Sequence, residues 1–189
     1  MPRVVTGQFR GTILEAPKGD KTRPTTDKVK EALFSIIQGR VPDSDFLDLC
    51  AGSGQIGIEA LSRGANSVTL VDKAGDCARI IKGNIAKIHM EDSDSIRFIK
   101  GSIIPTLEML ATNGSKFDII FMDPPYRLVP DLAKQASEVI LRGGLLKEDG
   151  ILIVEHAKDM PPDESAMALL QFRSCSYGLT VITFFKNKQ

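Results

Sequence analysis

Cysteine is scarce in this chain: Cys50, Cys77 and Cys175 are the only three, with no C-x-x-C pair among them. An odd number without paired spacing excludes a disulfide framework and a zinc ribbon. Histidine is scarcer still, with only His89 and His156, so a histidine-rich metal site is excluded and no metal is expected. No run approaches the roughly 18 consecutive apolar residues that a membrane span needs. The first residues, Met1-Pro2-Arg3-Val4-Val5, hold no apolar signal core. These absences lead to the expectation of a cytoplasmic, monomeric protein with no membrane partner. Net charge is absent as well, since 24 Lys and Arg balance 24 Asp and Glu. Bulk charge therefore does not by itself point to nucleic acid.

What remains is an ordinary globular composition: 189 residues, 42% hydrophobic and 25% charged, enough for one full domain with a small appendage. The charge is unevenly spread. Residues 1–40 hold eight basic and four acidic side chains, a basic head on a slightly acidic body. That is the footprint a polyanion would favour, although a scatter of solvated surface charge gives the same count.

Two regimes follow along the chain. Arg3–Thr6 and Phe9–Leu14 read as a β-hairpin turning at Gly7-Gln8. A polar loop, 17–21, leads to Thr25 or Thr26 as the cap of a helix whose face is Val29, Leu33, Ile36 and Ile37. From about residue 45, short apolar runs alternate with helical stretches. Phe46–Cys50, Ser67–Val71, Ile96–Ile99, Phe117–Met122 and Ile151–Val154 read as strands, with helices near 55–63, 75–89, 103–112 and 130–142. This alternation predicts an α/β fold with a parallel sheet and right-handed crossovers. Leu170–Ser176 and Leu179–Phe185 are joined only by Tyr177-Gly178, so they must pair antiparallel as a C-terminal hairpin. The expected organisation is an extension over 1–40, facing a polyanion, and an α/β domain over 41–189. Ligands of such sheets bind where strands end at their C-terminal edge.

Two such strand ends carry chemistry. The first strand runs into Asp48-Leu49-Cys50-Ala51-Gly52-Ser53-Gly54-Gln55-Ile56-Gly57. Glycines there allow a sharp turn and close backbone approach, and the following helix offers unpaired N–H groups. Gly52, Gly54 and Gly57 satisfy G-x-G-x-x-G, and Asp72 follows at the end of the second strand, where a carboxylate can accept from ribose hydroxyls. Either a dinucleotide or an adenosyl ligand would fit. Asp48 decides between them: it can hold a cationic amino group but would repel a pyrophosphate, which favours S-adenosylmethionine. The fourth strand ends in Asp123-Pro124-Pro125-Tyr126. The prolines fix an extended turn. The Asp123 carboxylate and the Pro124 carbonyl can accept both hydrogens of a planar NH₂ group while Tyr126 stacks on its ring. Cys50 and Cys77 read as structural, His156 as a surface residue, and Phe184-Phe185 as edge-strand core.

These motifs resemble class I S-adenosylmethionine-dependent methyltransferases that act on amino groups. The segments Arg3-Val4-Val5-x-Gly7-x-Phe9-Arg10-Gly11, Arg23-Pro24-Thr25-Thr26-Asp27 and Gly57-x-Glu59-Ala60-Leu61-Ser62-Arg63-Gly64-Ala65 narrow the resemblance to the bacterial RsmD family. That resemblance implies methylation of the exocyclic N2 of a guanine in small-subunit (16S) ribosomal RNA, presented on an assembled or assembling subunit. It implies that Ala51, Gly52, Ser53 and Gly54 cradle the methionine end of the cofactor with Asp48 beneath, that Asp72 holds the ribose and that Ser102 stands near the adenine. Asp123, Pro124 and Pro125 would hold the target amine and Tyr126 its ring. Arg10, Arg23 and Thr25 would face the RNA or close the cofactor pocket. The chain departs from the family at Asp72, where Glu is more frequent, at Ala74, at Ser102, and at Lys28 and Lys30, where Arg is common. The same D-P-P-Y device serves DNA adenine-N6, DNA cytosine-N4 and protein glutamine-amide methyltransferases. A nicotinamide oxidoreductase would leave Asp48 and D-P-P-Y without a role, and an RNA-binding module without cofactor would have no use for the glycine loop.

Overall fold

The computed structural model describes residues 1–17 and 27–188. The chain divides into two compact units, Met1–Gly101 and Ser102–Gln189. The first contains α1 (Asp27–Ile36), β1 (Asp45–Asp48), α2 (Gln55–Ser62), β2 (Ser67–Asp72), α3 (Gly75–Lys87) and β3 (Ile96–Lys100). The second contains α4 (Ile103–Thr112), β4 (Phe117–Met122), α5 (Val129–Arg142), β5 (Leu146–Ala157), β6 (Leu170–Tyr177) and β7 (Thr180–Lys186). The strands of the first unit are all parallel, and those of the second mix parallel and antiparallel pairs. Strand order is β3-β2-β1 within the first unit and β4-β5-β7-β6 within the second.

In the first unit, Asp45–Asp48 pairs in parallel with Ser67–Leu70, and Val68–Asp72 with Ile96–Lys100. Phe46, Leu47, Val68, Leu70 and Val71 are all buried, the continuous apolar pattern of strands covered on both faces. The first strand ends at Asp48, two residues earlier than the sequence pattern suggests, because Ala51 N–H turns to the Val71 carbonyl (2.9 Å). Cys50 thus lies outside the strand and is half-buried rather than a core residue.

The expected N-terminal hairpin is reduced to one antiparallel bridge, Arg3 with Ile13. The arms are still joined by backbone bonds from Val4 N–H to the Thr12 carbonyl (3.0 Å), Gly11 N–H to the Val4 carbonyl (2.9 Å) and Leu14 N–H to the Pro2 carbonyl (2.9 Å), and Arg10 N–H closes a turn on the Gly7 carbonyl (3.2 Å). Three N–H groups near the tip are taken by α2 instead: Val5 and Thr6 donate to the Glu59 carboxylate (2.8 and 3.0 Å), and Phe9 donates to Ser62 Oγ (2.9 Å). A charge-assisted acceptor competes successfully with a ladder carbonyl. The expected loop at 17–21 is described only at Pro17. The proposed caps Thr25 and Thr26 lie outside the described residues.

In the second unit, β4 and β5 are parallel, and β7 runs antiparallel to both β5 and β6. The C-terminal hairpin is present. However, β6 rather than β7 is the outer strand, so Phe184 and Phe185 are central and fully buried. The fifth strand begins five residues earlier than its apolar run, with a register shift opposite Phe117 and Ile119. Lys147 within this early part is held by Asp118 (2.7 Å).

Candidate active site

The loop after β1 is built from backbone. Gly52 and Gly54 take left-handed conformations, with φ of 56° and 79°, which cost a side-chain-bearing residue about 1–2 kcal/mol. Gly57 serves packing instead. A Cβ there would stand 2.3 Å from Leu70 Cδ2 and 2.8 Å from Val68 Cγ1, so its absence lets α2 lie close on β2. Ser53 is buried, and its carbonyl accepts from Asn84 Nδ2 (2.8 Å).

Asp48 lies beneath this loop, 1% exposed. Cys50 N–H reaches its Oδ1 at 3.4 Å, whereas Oδ2 is buried with no hydrogen-bond partner among the described residues. Burial pushes its pKa from 3.8 up to about 7; the Asp72 carboxylate adds to the rise, and the N–H groups of Cys50 and Gly57 oppose it. An orphaned buried carboxylate oxygen carries a desolvation cost that a cationic ligand group would relieve.

Asp72, at the end of β2, orders the same loop. Its Oδ2 accepts from Gly52 N–H (2.9 Å) and its Oδ1 from Ala74 N–H (2.8 Å). Each oxygen keeps a second lone pair, so the carboxylate can brace the loop and still accept from a diol. Ala74 contributes to this arrangement through its backbone alone. The adjacent Cys77 is buried, and its thiol is pushed up to about 11, first by burial and then by the Asp72 charge. It is inert as a nucleophile.

Three side chains that sequence reasoning passed over support the region. Glu59 and Lys30 are fully buried and 3.6 Å apart. Glu59 also accepts from Arg63 Nε (2.8 Å), and Lys30 Nζ donates to the Arg3 carbonyl. Lys30 is therefore an internal clamp on the N-terminal segment, not a phosphate-facing cation; Lys28 is exposed. Asn84, also fully buried, pairs with both backbone groups of Glu15 (2.8 Å each). For Glu59 and Asn84 the signal was a polar residue at a helix position whose neighbours were apolar, as in Ile58-Glu59-Ala60 and Ile80-Ile81 before Asn84; Lys30, between Val29 and Glu31, carried none.

In the second unit, Met122 ends β4, Pro124 is buried, and Asp123 and Tyr126 are half-buried. Pro125 adopts φ −49° and ψ 125°, and its carbonyl accepts from Leu128 N–H (2.8 Å) in a short 3-10 turn, Tyr126–Leu128. Tyr126 Oη lies 3.4 Å from Glu155 Oε1 and 3.3 Å from Thr180 Oγ1. Glu155 is 3% exposed, so the phenol is tethered from inside the fold. His156 is buried, not on the surface. Its Nδ1 lies 2.8 Å from the Ala157 carbonyl and its Nε2 2.8 Å from Thr183 Oγ1. Burial lowers its pKa. Nδ1 therefore carries the proton and Nε2 accepts from the threonine.

Ser102 is exposed at the N-terminus of α4, where its carbonyl accepts from Thr106 N–H (3.1 Å) and its hydroxyl makes no cap bond. Arg10 is exposed. Arg23 and Thr25 lie outside the described residues. Among the described residues no cluster of His, Cys, Asp and Glu could hold a metal ion, and no helix is long and apolar enough to cross a membrane.

Parallel strands alternating with helices, ended by an antiparallel hairpin, are the elements of the class I methyltransferase fold. The Escherichia coli protein yhhF, described provisionally as a methyltransferase, superposes with a TM-score of 0.81 at 28% identity, covering 99% of this chain and 98% of that one. The chain belongs to the family whose model is described as "Conserved hypothetical protein 95", which matches residues 2–186 and is the RsmD family. The chain is 34% identical over 186 residues to Bacillus subtilis YlbH, provisionally named an rRNA methyltransferase, covering 98% of this chain and 99% of the relative. It is 35% identical over 159 residues to Ribosomal RNA small subunit methyltransferase D of Haemophilus influenzae, covering 84% and 80% respectively.

Proposed function

We propose that this protein transfers a methyl group from S-adenosylmethionine to the exocyclic N2 amine of one guanine in small-subunit (16S) ribosomal RNA. Family membership supports methylation of ribosomal RNA. The D-P-P-Y turn supports an exocyclic amine as the acceptor. The single observation that carries the cofactor reading is the orphaned, buried Oδ2 of Asp48 beneath the left-handed glycine loop. S-adenosylmethionine presents an amino group, a carboxylate and a ribose diol, and the residues here fit all three. Asp48 would hold the amino group, Ala51, Gly52, Ser53 and Gly54 would wrap the methionine portion, Asp72 would accept from the diol, and Ser102 would stand near the adenine.

The cofactor, when bound, supplies an electrophilic methyl on a sulfonium. The protein's own part is to bind and orient. An aromatic exocyclic amine is a poor nucleophile because its lone pair is delocalised into the ring. Asp123 and the Pro124 carbonyl would each accept one N–H, favour a tetrahedral nitrogen, and stabilise positive charge as it develops. Pro125 is rigid and uses its carbonyl locally, which fixes where Asp123 and Pro124 stand. Tyr126, held at its hydroxyl by Glu155 and Thr180, would offer its ring to the base. A guanine in a stacked region must swing out to reach such a site, at a cost of a few kcal/mol. Residues 1–40 would serve as an RNA-facing extension on the domain formed by 41–189, with Arg10, Arg23 and Thr25 toward the RNA or the mouth of the cofactor pocket.

The test is transfer of a labelled methyl group to small subunits lacking the modification, followed by nuclease digestion and mass analysis of the nucleoside. N2-methylguanosine at one position is the expected product. Label in adenine N6, cytosine N4 or a glutamine amide would replace the guanine reading, and no label in any ribosomal component would remove it.

A further inference from the structure

The C-terminal hairpin carries a surface that the chemistry above does not use. Its outer strand, β6, is exposed along most of its length. Arg173, Cys175 and Tyr177 pair with Phe184, Ile182 and Thr180, so these six side chains share one face of the hairpin. The register shift between Gln171 and Arg173 makes Phe172 an inserted residue. Its ring joins the same face, 6.1 Å from that of Phe184. Phe184 is buried, but Phe172 is 45% exposed. Lys186 Nζ lies 5.9 Å from the Phe172 centroid, and the Arg173 guanidinium 5.9 Å from that of Phe184. The exposed ring of Phe172 thus has one cation over it, and the buried ring beside it has a second. From Ser165 to the C-terminus the sequence has Arg173, Lys186 and Lys188 and no Asp or Glu, although the chain as a whole is neutral.

The strip leads to the D-P-P-Y turn. Ile182 pairs with Glu155 across β5 and β7, so Glu155 and Thr180, which tether the Tyr126 hydroxyl, lie on this same face. Five residues separate Phe172 from Tyr177, about 17 Å at roughly 3.3 Å per strand residue. A few extended nucleotides span that distance.

We propose that this face of the β6–β7 hairpin, with Phe172, Arg173, Tyr177 and Lys186, binds a single-stranded stretch of the RNA substrate flanking the target base. A base stacks on Phe172 and the backbone phosphates meet Arg173 and Lys186. Stacking on an aromatic ring beside cations is a sequence-tolerant way to hold single strands. The charge favours a polyanion over a second copy of a chain with no net charge. The inference rests on the rRNA reading above.

The test is direct binding of unmodified small subunits, measured by filter retention with S-adenosylhomocysteine present, as a function of salt. The triple variant Phe172→Ala, Arg173→Gln, Lys186→Gln should weaken binding at least tenfold. The slope of log affinity against log salt should become shallower by roughly 1.4–1.8 for two lost phosphate contacts. Phe172→Tyr should bind as the wild type does, and Phe172→Leu should not, although both melt normally. Unchanged affinity and slope in the triple variant would overturn the proposal. So would a wild-type dimer that the triple variant dissociates while RNA affinity stays the same, because that assigns the face to a second copy. A wild type that binds subunits but never methylates them would sink the functional reading and leave this surface standing. A wild type that methylates them while the triple variant binds equally well would do the reverse.

Discussion

The loop after β1 and the turn after β4 both end a parallel strand, yet they are made of opposite materials. The first is glycine in left-handed conformations, offering N–H groups, over a buried carboxylate with one oxygen unsatisfied among the described residues. The second is proline in extended conformation, with no N–H at two successive positions, and a tyrosine fixed from behind. The difference matches what each would hold. A flexible amino-acid tail with both charges is best enclosed by backbone, which approaches closely and donates. A flat base is best met by rigid acceptors and a ring. The loop is also the more expensive to hold in place, because its conformation depends on groups outside it, whereas the turn is stiff by covalent structure.

The largest expected effect tests that dependence. Glu59 follows the glycine loop on α2, accepts from Val5, Thr6 and Arg63, and pairs with the Lys30 charge at 3.6 Å. Glu59→Ala leaves the buried Lys30 charge with only the half-exposed Asp27 at 3.7 Å, and losing one partner of a buried pair costs about 3–5 kcal/mol. Thermal unfolding should show a destabilisation of that size and proteolysis should release the N-terminal segment. Replacing both partners, with Lys30→Met and Glu59→Leu, should recover much of it. A single variant as stable as the wild type would show that the loop's surroundings are not under this control.

The turn is tested through chemistry instead. Asp123→Ala should lower kcat by about a hundred- to a thousand-fold, the usual size of losing one preorganised electrostatic partner. Affinity for S-adenosylhomocysteine, measured by calorimetry, should stay within about threefold of wild type. If cofactor affinity collapsed along with rate, loop and turn would not be separable, and the division of labour drawn here would fail.

Much of this was legible in the sequence, for stated reasons. Strand and helix positions followed from alternation of short apolar runs with helical periods, and Phe117–Met122 and Ile103–Thr112 fall where the pattern puts them. The glycine loop and the D-P-P-Y turn carry unusual residue types, so they announce themselves. What was not legible depended on partners far along the chain. Glu59 drew the Val5 and Thr6 N–H groups away from a hairpin ladder, and nothing local to residues 3–14 says so. Lys30 gave no local sign of burial, because its sequence neighbours are Val29 and Glu31 and its buried partner Glu59 lies far along the chain. Phe184 and Phe185 read as edge residues because chain order does not give sheet order: the last strand inserts between β5 and β6. His156 read as surface because a single histidine after a strand carries no sign of a threonine 27 residues later.

Asp48 sharpens the comparison through pH. Its folded pKa of about 7 lies above its ordinary value of 3.8. Between these values the folded protein binds more protons than the unfolded chain, so the cofactor-free protein loses stability as pH rises from about 4 to about 7. Above 7 this contribution is constant. Asp48→Asn should therefore be more stable than wild type at pH 8, and the difference should vanish toward pH 4. A cationic amino group favours the carboxylate, so S-adenosylhomocysteine should bind more tightly at pH 8 than at pH 6, by at most tenfold per unit. Calorimetry in buffers of different ionisation enthalpy should detect proton release at pH 6 and none at pH 8. A flat profile would leave the loop with no charge to answer.

The smallest effect concerns the tether on Tyr126. Tyr126→Phe keeps the ring and removes the hydroxyl that lies 3.4 Å from Glu155 and 3.3 Å from Thr180. Both contacts are long, so the hydrogen-bond energy lost is about 1 kcal/mol. That corresponds to a rate loss of less than about tenfold if the hydroxyl serves only to orient the ring. Tyr126→Ala removes the ring as well and should cost clearly more, chiefly in KM for the small subunit. Glu155→Gln keeps an acceptor for the phenol and should behave like wild type in rate. If Tyr126→Phe instead lost as much as Tyr126→Ala, the hydroxyl rather than the ring would be the working part. The turn would then act through a polar side chain tethered to the interior rather than through a rigid face.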